Sequence, residues 1–122
     1  MSQLMMVLFV ALGGAIGGAC RYLVGLALPG TGGFPWATLC VNVLGSLVLG
    51  AVSGVLSSQG GSAALRAFAI VGFCGGFTTF STFSNESLRM IESSQWGMFA
   101  VYMTVSLLAG IAAVWIGVKL AS

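Results

Sequence analysis

Chemistry in this chain rests on hydroxyls, one amide and aromatic rings, because the acids and bases that would activate a nucleophile are nearly absent. From Gly72 to Ser84 the sequence reads Gly-Phe-Cys-Gly-Gly-Phe-Thr-Thr-Phe-Ser-Thr-Phe-Ser, so Gly75-Gly76 and then five hydroxyl residues fall within one long apolar stretch. Paired glycines weaken a helix, and Thr and Ser hydroxyls compete for nearby backbone groups. A regular helix is therefore not expected through this run. Backbone freed at membrane depth survives only if protein buries it or a watery cavity meets it. Its carbonyls would suit a hard cation such as Na⁺, whereas half-helix N-termini and hydroxyl donors would suit an anion. Phe80 and Phe83 are three residues apart and face one side of the helix that follows, beside Ser81 and Thr82. Such rings serve as core packing, or their positive edges meet a small anion without any fixed cation.

Two further stripes carry polar groups. Thr38, Asn42, Gly45, Ser46 and Ser53 recur at helical spacing down one apolar segment. Asn42 stands deep enough to lie within hydrocarbon, so its amide needs partners, either on another helix or in a pore. Near the C-terminus, Tyr102, Ser106, Ala109 or Gly110, Ala113 and Gly117 form a matching stripe with hydroxyls at one end only.

The elements that must position these groups are membrane helices. Of 122 residues, 58% are hydrophobic and 5% charged, and the mean hydropathy is +1.10; a water-soluble domain of this size needs more polar surface. Four apolar stretches, about 4–28, 36–57, 64–90 and 96–119, each approach the ~20 residues that cross a bilayer. They make a single all-α transmembrane domain, 1–122, whose third helix is broken near the bilayer midplane. Connectors 29–35 and 58–62 are turn-forming, and Trp36, Trp96 and Trp115 lie near segment ends, at headgroup level. The first 28 residues lack a basic n-region and run too long for a secretory signal, so they are read as a mature helix. Four Lys and Arg, two Asp and Glu and no His exclude a nucleic-acid-binding face and a His-based metal site. No nucleophile and base pair can be assembled, so the chain is not an enzyme. Cys20, Cys40 and Cys74 form no CxxC and read as small buried hydrophobes.

Charge placement bears on topology. Arg66 and Lys119 fall on the side of the N-terminus and second connector, Arg21 and Arg89 on the other. Cytoplasmic loops normally collect such residues; this even division implies insertion in both orientations, unless a weak residual bias fixes one. The partner expected is an inverted copy, because four helices alone would leave polar residues facing lipid. The GxxxG pairs Gly13/Gly17, Gly14/Gly18, Gly50/Gly54 and Gly72/Gly76 imply close helix packing.

The run 72–86, with Thr38-Leu-Cys-Val-Asn42 and the early glycine-rich helix ending in Arg21, resembles the CrcB/Fluc family of fluoride channels over the whole chain. The resemblance implies a multi-pass, dual-topology, antiparallel homodimer in the bacterial inner membrane that passively exports fluoride and so relieves its toxicity. By position, Phe80 and Phe83 would contact fluoride with Asn42 as an amide donor, while Ser81, Thr82, Tyr102 and Ser106 supply hydroxyls along the pore; Thr38 joins them from the second-segment stripe. Gly75 and Thr78 match positions whose backbone carbonyls bind a structural Na⁺ at the dimer centre, and Arg21 and Glu86 match charged vestibule positions. Where some relatives have a further serine, this chain has Gly110. Two rival readings remain: a small multidrug-resistance-type proton-coupled antiporter, which would need a membrane-buried acid absent from the first helix, and a structural membrane subunit with polar stripes as helix glue.

Overall fold

The computed structural model describes residues 2–30 and 33–122; Thr31 and Gly32 of the first connector lie outside them. Helix α1 spans Gln3–Ala27 and α2 Trp36–Gln59. The third membrane-spanning stretch, Ala63–Glu92, is divided. Its first half, α3, is an α turn Ala63–Leu65, a π-helical stretch Arg66–Cys74 and a second α turn Gly75–Phe77. Its second half, α4, is Phe80–Glu92, and α5 follows as Trp96–Ala121. Four stretches are thus long and apolar enough to cross a membrane. Hydroxyls start three of the helices: Ser2 Oγ accepts from the Met5 N–H, Ser62 Oγ from Leu65 and Thr79 Oγ1 from Thr82, each filling an orphan donor of a first turn.

Interruption of the third stretch falls within the glycine- and hydroxyl-rich run, just after Gly75-Gly76. Both glycines are helical, and the break is at Thr78 and Thr79, whose backbones are extended (φ −84°, ψ 159° and φ −149°, ψ 117°). The physical reason is tertiary. A Cβ at Gly76 would stand 2.7 Å from the Gly14 carbonyl oxygen, so this glycine is spent on letting α1 approach. The π-helical stretch, in which the Gly75 N–H reaches back five residues to the Ile70 carbonyl, was not legible from residue spacing.

Two helix pairs make up the bundle, and glycine sets both crossings. Gly13 and Gly17 of α1 lie against the backbone at Phe68, Phe73 and Phe77, and Gly72 returns the contact with its Cβ position 2.7 Å from the Val10 carbonyl oxygen. Across the other pair, Gly50 and Gly54 of α2 meet the Val114 and Val118 carbonyls, while Gly117 of α5 meets Leu47. The pair Gly14/Gly18 differs. Nothing lies within 4 Å of a Cβ at Gly18, yet a Cβ at Gly76 would stand 2.7 Å from the Gly14 carbonyl oxygen and 3.2 Å from the Gly18 nitrogen, so this pair takes the approach on its backbone. Helix α4 closes one end, where its Phe83 and Met90 pack with Tyr102 of α5 and with Phe34, Leu39 and Met98. Much of the remaining surface is apolar, as lipid requires, and Trp36, Trp96 and Trp115 are all exposed. The three cysteines are free; Cys74 is buried and the other two half-buried.

Candidate functional site

Ending a helix midway along a membrane-spanning stretch leaves backbone groups without partners, and each must find one. Here side chains from two other helices supply them. Asn42 of α2 pairs with both backbone groups of Thr79: its Nδ2 donates to the Thr79 carbonyl at 3.1 Å and its Oδ1 accepts from the Thr79 N–H at 2.8 Å. Arg21 of α1 donates from Nε to the Gly76 carbonyl at 3.1 Å, setting a cation at the negative end of α3. The Cys74 carbonyl accepts both the N–H and the hydroxyl of Thr78. Gly45 gives α2 room to reach the break, since a Cβ there would meet the Thr78 methyl and the Phe77 ring. None of these bonds claims the carbonyl of Gly75 or of Thr78.

Two grooves flank the interruption, and Thr79 touches both. The first, of about 300 Å³, lies between α2, α4 and α5 and brings together Asn42, Phe80, Phe83 and Ser106, with Ser46 and Gly110 at one end. No charged residue lines it. The Ser106 hydroxyl is buried there with no hydrogen-bond partner. Phe83 is 9% exposed and packs 4.9 Å from the Tyr102 ring, centroid to centroid, whereas Phe80, 5.9 Å from Phe83, is 79% exposed. The second groove, of about 340 Å³, lies toward α1 and gathers Arg21, Thr38 and Thr82. Ser81 is exposed and lines neither groove.

Tyr102 is fully buried and lines neither groove; with Thr38 it holds an acid. Its hydroxyl donates to Glu86 Oε1 at 2.8 Å, and the Thr38 hydroxyl donates to Glu86 Oε2 at 3.0 Å. Glu86, on α4, is half-buried against α2 and α5 with each carboxylate oxygen answered. Gly75 is exposed on the far side of the break. Among the described residues, no cluster of His, Cys, Asp and Glu is placed to hold a metal ion, so backbone carbonyls are the oxygen donors on offer.

Sequence reasoning missed Thr79 and undervalued Ser46. A signal for Thr79 was present: a threonine immediately before the first apolar residue of a helical run, here Phe80, is an N-cap candidate. For Ser46 the signal was its spacing of four from Asn42.

A divided helix, clamped open by side chains of its neighbours and flanked by polar grooves inside an apolar bundle, defines a membrane transport protein of the multi-pass class. Comparison with known proteins names the family. Residues 8–118 match the model described as "CrcB-like protein, Camphor Resistance (CrcB)", and the chain belongs to this family. It is 44% identical over 120 residues to "Fluoride-specific ion channel FluC 2" of Rhodococcus jostii, covering 97% of this chain and 100% of that protein. It is 45% identical over 122 residues to "Fluoride-specific ion channel FluC" of a Ruegeria species, covering 98% and 96%. The FluC of Bacteroides fragilis is 40% identical over 116 residues, 91% of each chain.

Proposed function

We propose that this chain is a fluoride-selective channel, passively exporting fluoride across the bacterial inner membrane as an antiparallel homodimer. Membership of the CrcB family and the names of its relatives support the ion. The observation that carries the reading is the groove at the break: an amide, two phenyl rings and an unpartnered serine hydroxyl, with no charge in its wall.

Fluoride holds its water tightly, so a selective path must replace that water with donors. Asn42 spends one amide hydrogen on the Thr79 carbonyl and keeps a second for the groove. Ser106 donates its free hydroxyl, and Phe80 and Phe83 present ring edges. Arg21, Thr38 and Thr82 line the groove toward α1, where the cation and the Thr82 hydroxyl gather the anion before it reaches the rings, while Thr38 has given its hydroxyl hydrogen to Glu86. Behind this wall Glu86, itself held by Tyr102, fixes the Thr38 hydroxyl.

What one chain leaves uncovered supports the dimer. Phe80, Ser81, Ser84 and Asn85 are exposed on α4 and Gly75 on α3, an aromatic and polar face that lipid serves poorly. An inverted copy covers it, in keeping with the even division of Lys and Arg. The same copy doubles the two free carbonyls of Gly75 and Thr78 to four. They fit Na⁺, a hard cation that takes oxygen donors, at the C-terminal end of α3 where the helix dipole is negative; bound there, it would neutralise carbonyls that face each other.

Purified protein in liposomes loaded with potassium fluoride is expected to release fluoride, to retain chloride and to leave a pH gradient intact. Release no faster than from protein-free vesicles overturns the channel. Phe80→Ile and Phe83→Ile are each expected to lower flux at least tenfold while the protein elutes unchanged; undiminished flux removes the ring-edge contact.

A further inference from the structure

Helices α2 and α5 face one another rung by rung, each rung four residues beyond the last on both. Thr38 and Tyr102 share Glu86. Asn42 and Ser106 line one groove. A Cβ at Gly110 would stand 3.9 Å from Ser46 Oγ, its one neighbour within 4 Å, and beyond this rung Gly50 and Gly54 close on the Val114 and Val118 carbonyls. Polar groups therefore face each other on the first two rungs, stand on α2 alone at the third and cease at the fourth. The third rung is open space beside a hydroxyl, inside the groove that holds the unpartnered Ser106 hydroxyl.

We propose that Ser46 contacts the permeating anion: its hydroxyl, reaching across from α2, supplies the donor that α5 lacks at Gly110. An ion leaving the level of Asn42 and Ser106 meets, one turn on, about 6 Å along, a wall of apolar surface except for Ser46. Without it a dehydrated fluoride would have no donor before the glycine-packed end of the bundle. A chloride, which accepts hydrogen bonds more weakly, gains less there. Ser46 thus sets selectivity as well as rate. The inference rests on the fluoride-channel reading.

The test is rescue across the rung. In liposomes, Ser46→Ala is expected to lower fluoride flux about tenfold, the worth of roughly one hydrogen bond to an ion. Adding Gly110→Ser in the same chain returns a hydroxyl from the opposite wall, where space for a Cβ exists, and is expected to recover most of the flux. Adding Gly110→Ala instead gives the same bulk without the donor and is expected to recover none. Equal recovery by both, or full flux in Ser46→Ala alone, overturns the proposal; so does loss of flux that tracks loss of the folded dimer in size-exclusion profiles. Unmodified protein that moves no fluoride in the same vesicles fails the channel reading instead, and the two failures are distinct.

Discussion

At residue scale the decisive group is Asn42. A side-chain amide has one acceptor oxygen and two donor hydrogens, and Thr79 uses the oxygen and one hydrogen. This is a positional match of an amide to a peptide unit, which is why a hydroxyl at the same place would not serve. Asn42→Ala should leave both backbone groups of Thr79 unpaired in a medium that offers no water. The expected loss is about 1–3 kcal/mol for each group left unsatisfied, read as a lower midpoint in denaturant titration of the detergent-solubilised protein. Asn42→Asp, which keeps the acceptor and loses the donor, should fall between; a midpoint unchanged in both variants would refute the clamp. Arg21 shows the same economy. Its exposed side chain, readable from the sequence only as a charge near a span end, caps the Gly76 carbonyl.

At the scale of the helices, glycine decides which faces meet. Gly13 admits no side chain, since a Cβ would press on the Phe68 carbonyl, whereas Gly18 has open space. Gly13→Ala should therefore cost about 1–3 kcal/mol by overpacking, while Gly18→Ala should be neutral or gain up to about 1 kcal/mol in helix propensity. Thermal unfolding in detergent separates the two; equal shifts would show that the α1 to α3 contact is not made by backbone. The divided third stretch belongs to this scale too. Helix α3 ends where Thr78 folds its own N–H and hydroxyl onto Cys74, and α4 begins on the Thr79 hydroxyl. Two adjacent threonines thus stop one helix and start the next.

For the whole molecule, orientation in the membrane is the open quantity to measure. With two basic residues toward each face, neither orientation is favoured by the distribution of Lys and Arg. Reporters fused to the C-terminus are expected on both sides of the membrane in comparable amounts, and adding two lysines to the 58–62 connector should draw that connector to the cytoplasmic side. Reporter signal confined to one side in the unmodified chain would rule out the inverted pair.

Sequence alone determined the membrane class, the presence of four helices apolar enough to span a bilayer, and the exclusion of catalysis, because each follows from counts and periodicity that no packing can reverse. It also marked the hydroxyl-rich stretch as interrupted. What only the tertiary structure decided is where the interruption falls and what each polar group does there. Gly75-Gly76 stayed helical, and Gly76 gives α1 the space to approach. Tyr102 and Thr38 turned to Glu86 because the acid, half-buried, needed donors. Asn42 became the clamp on Thr79, and Ser106 and Ser46 were left facing a groove. Such assignments depend on which orphaned group lies within about 3 Å of which donor, a relation between residues tens of positions apart that spacing along one helix does not contain.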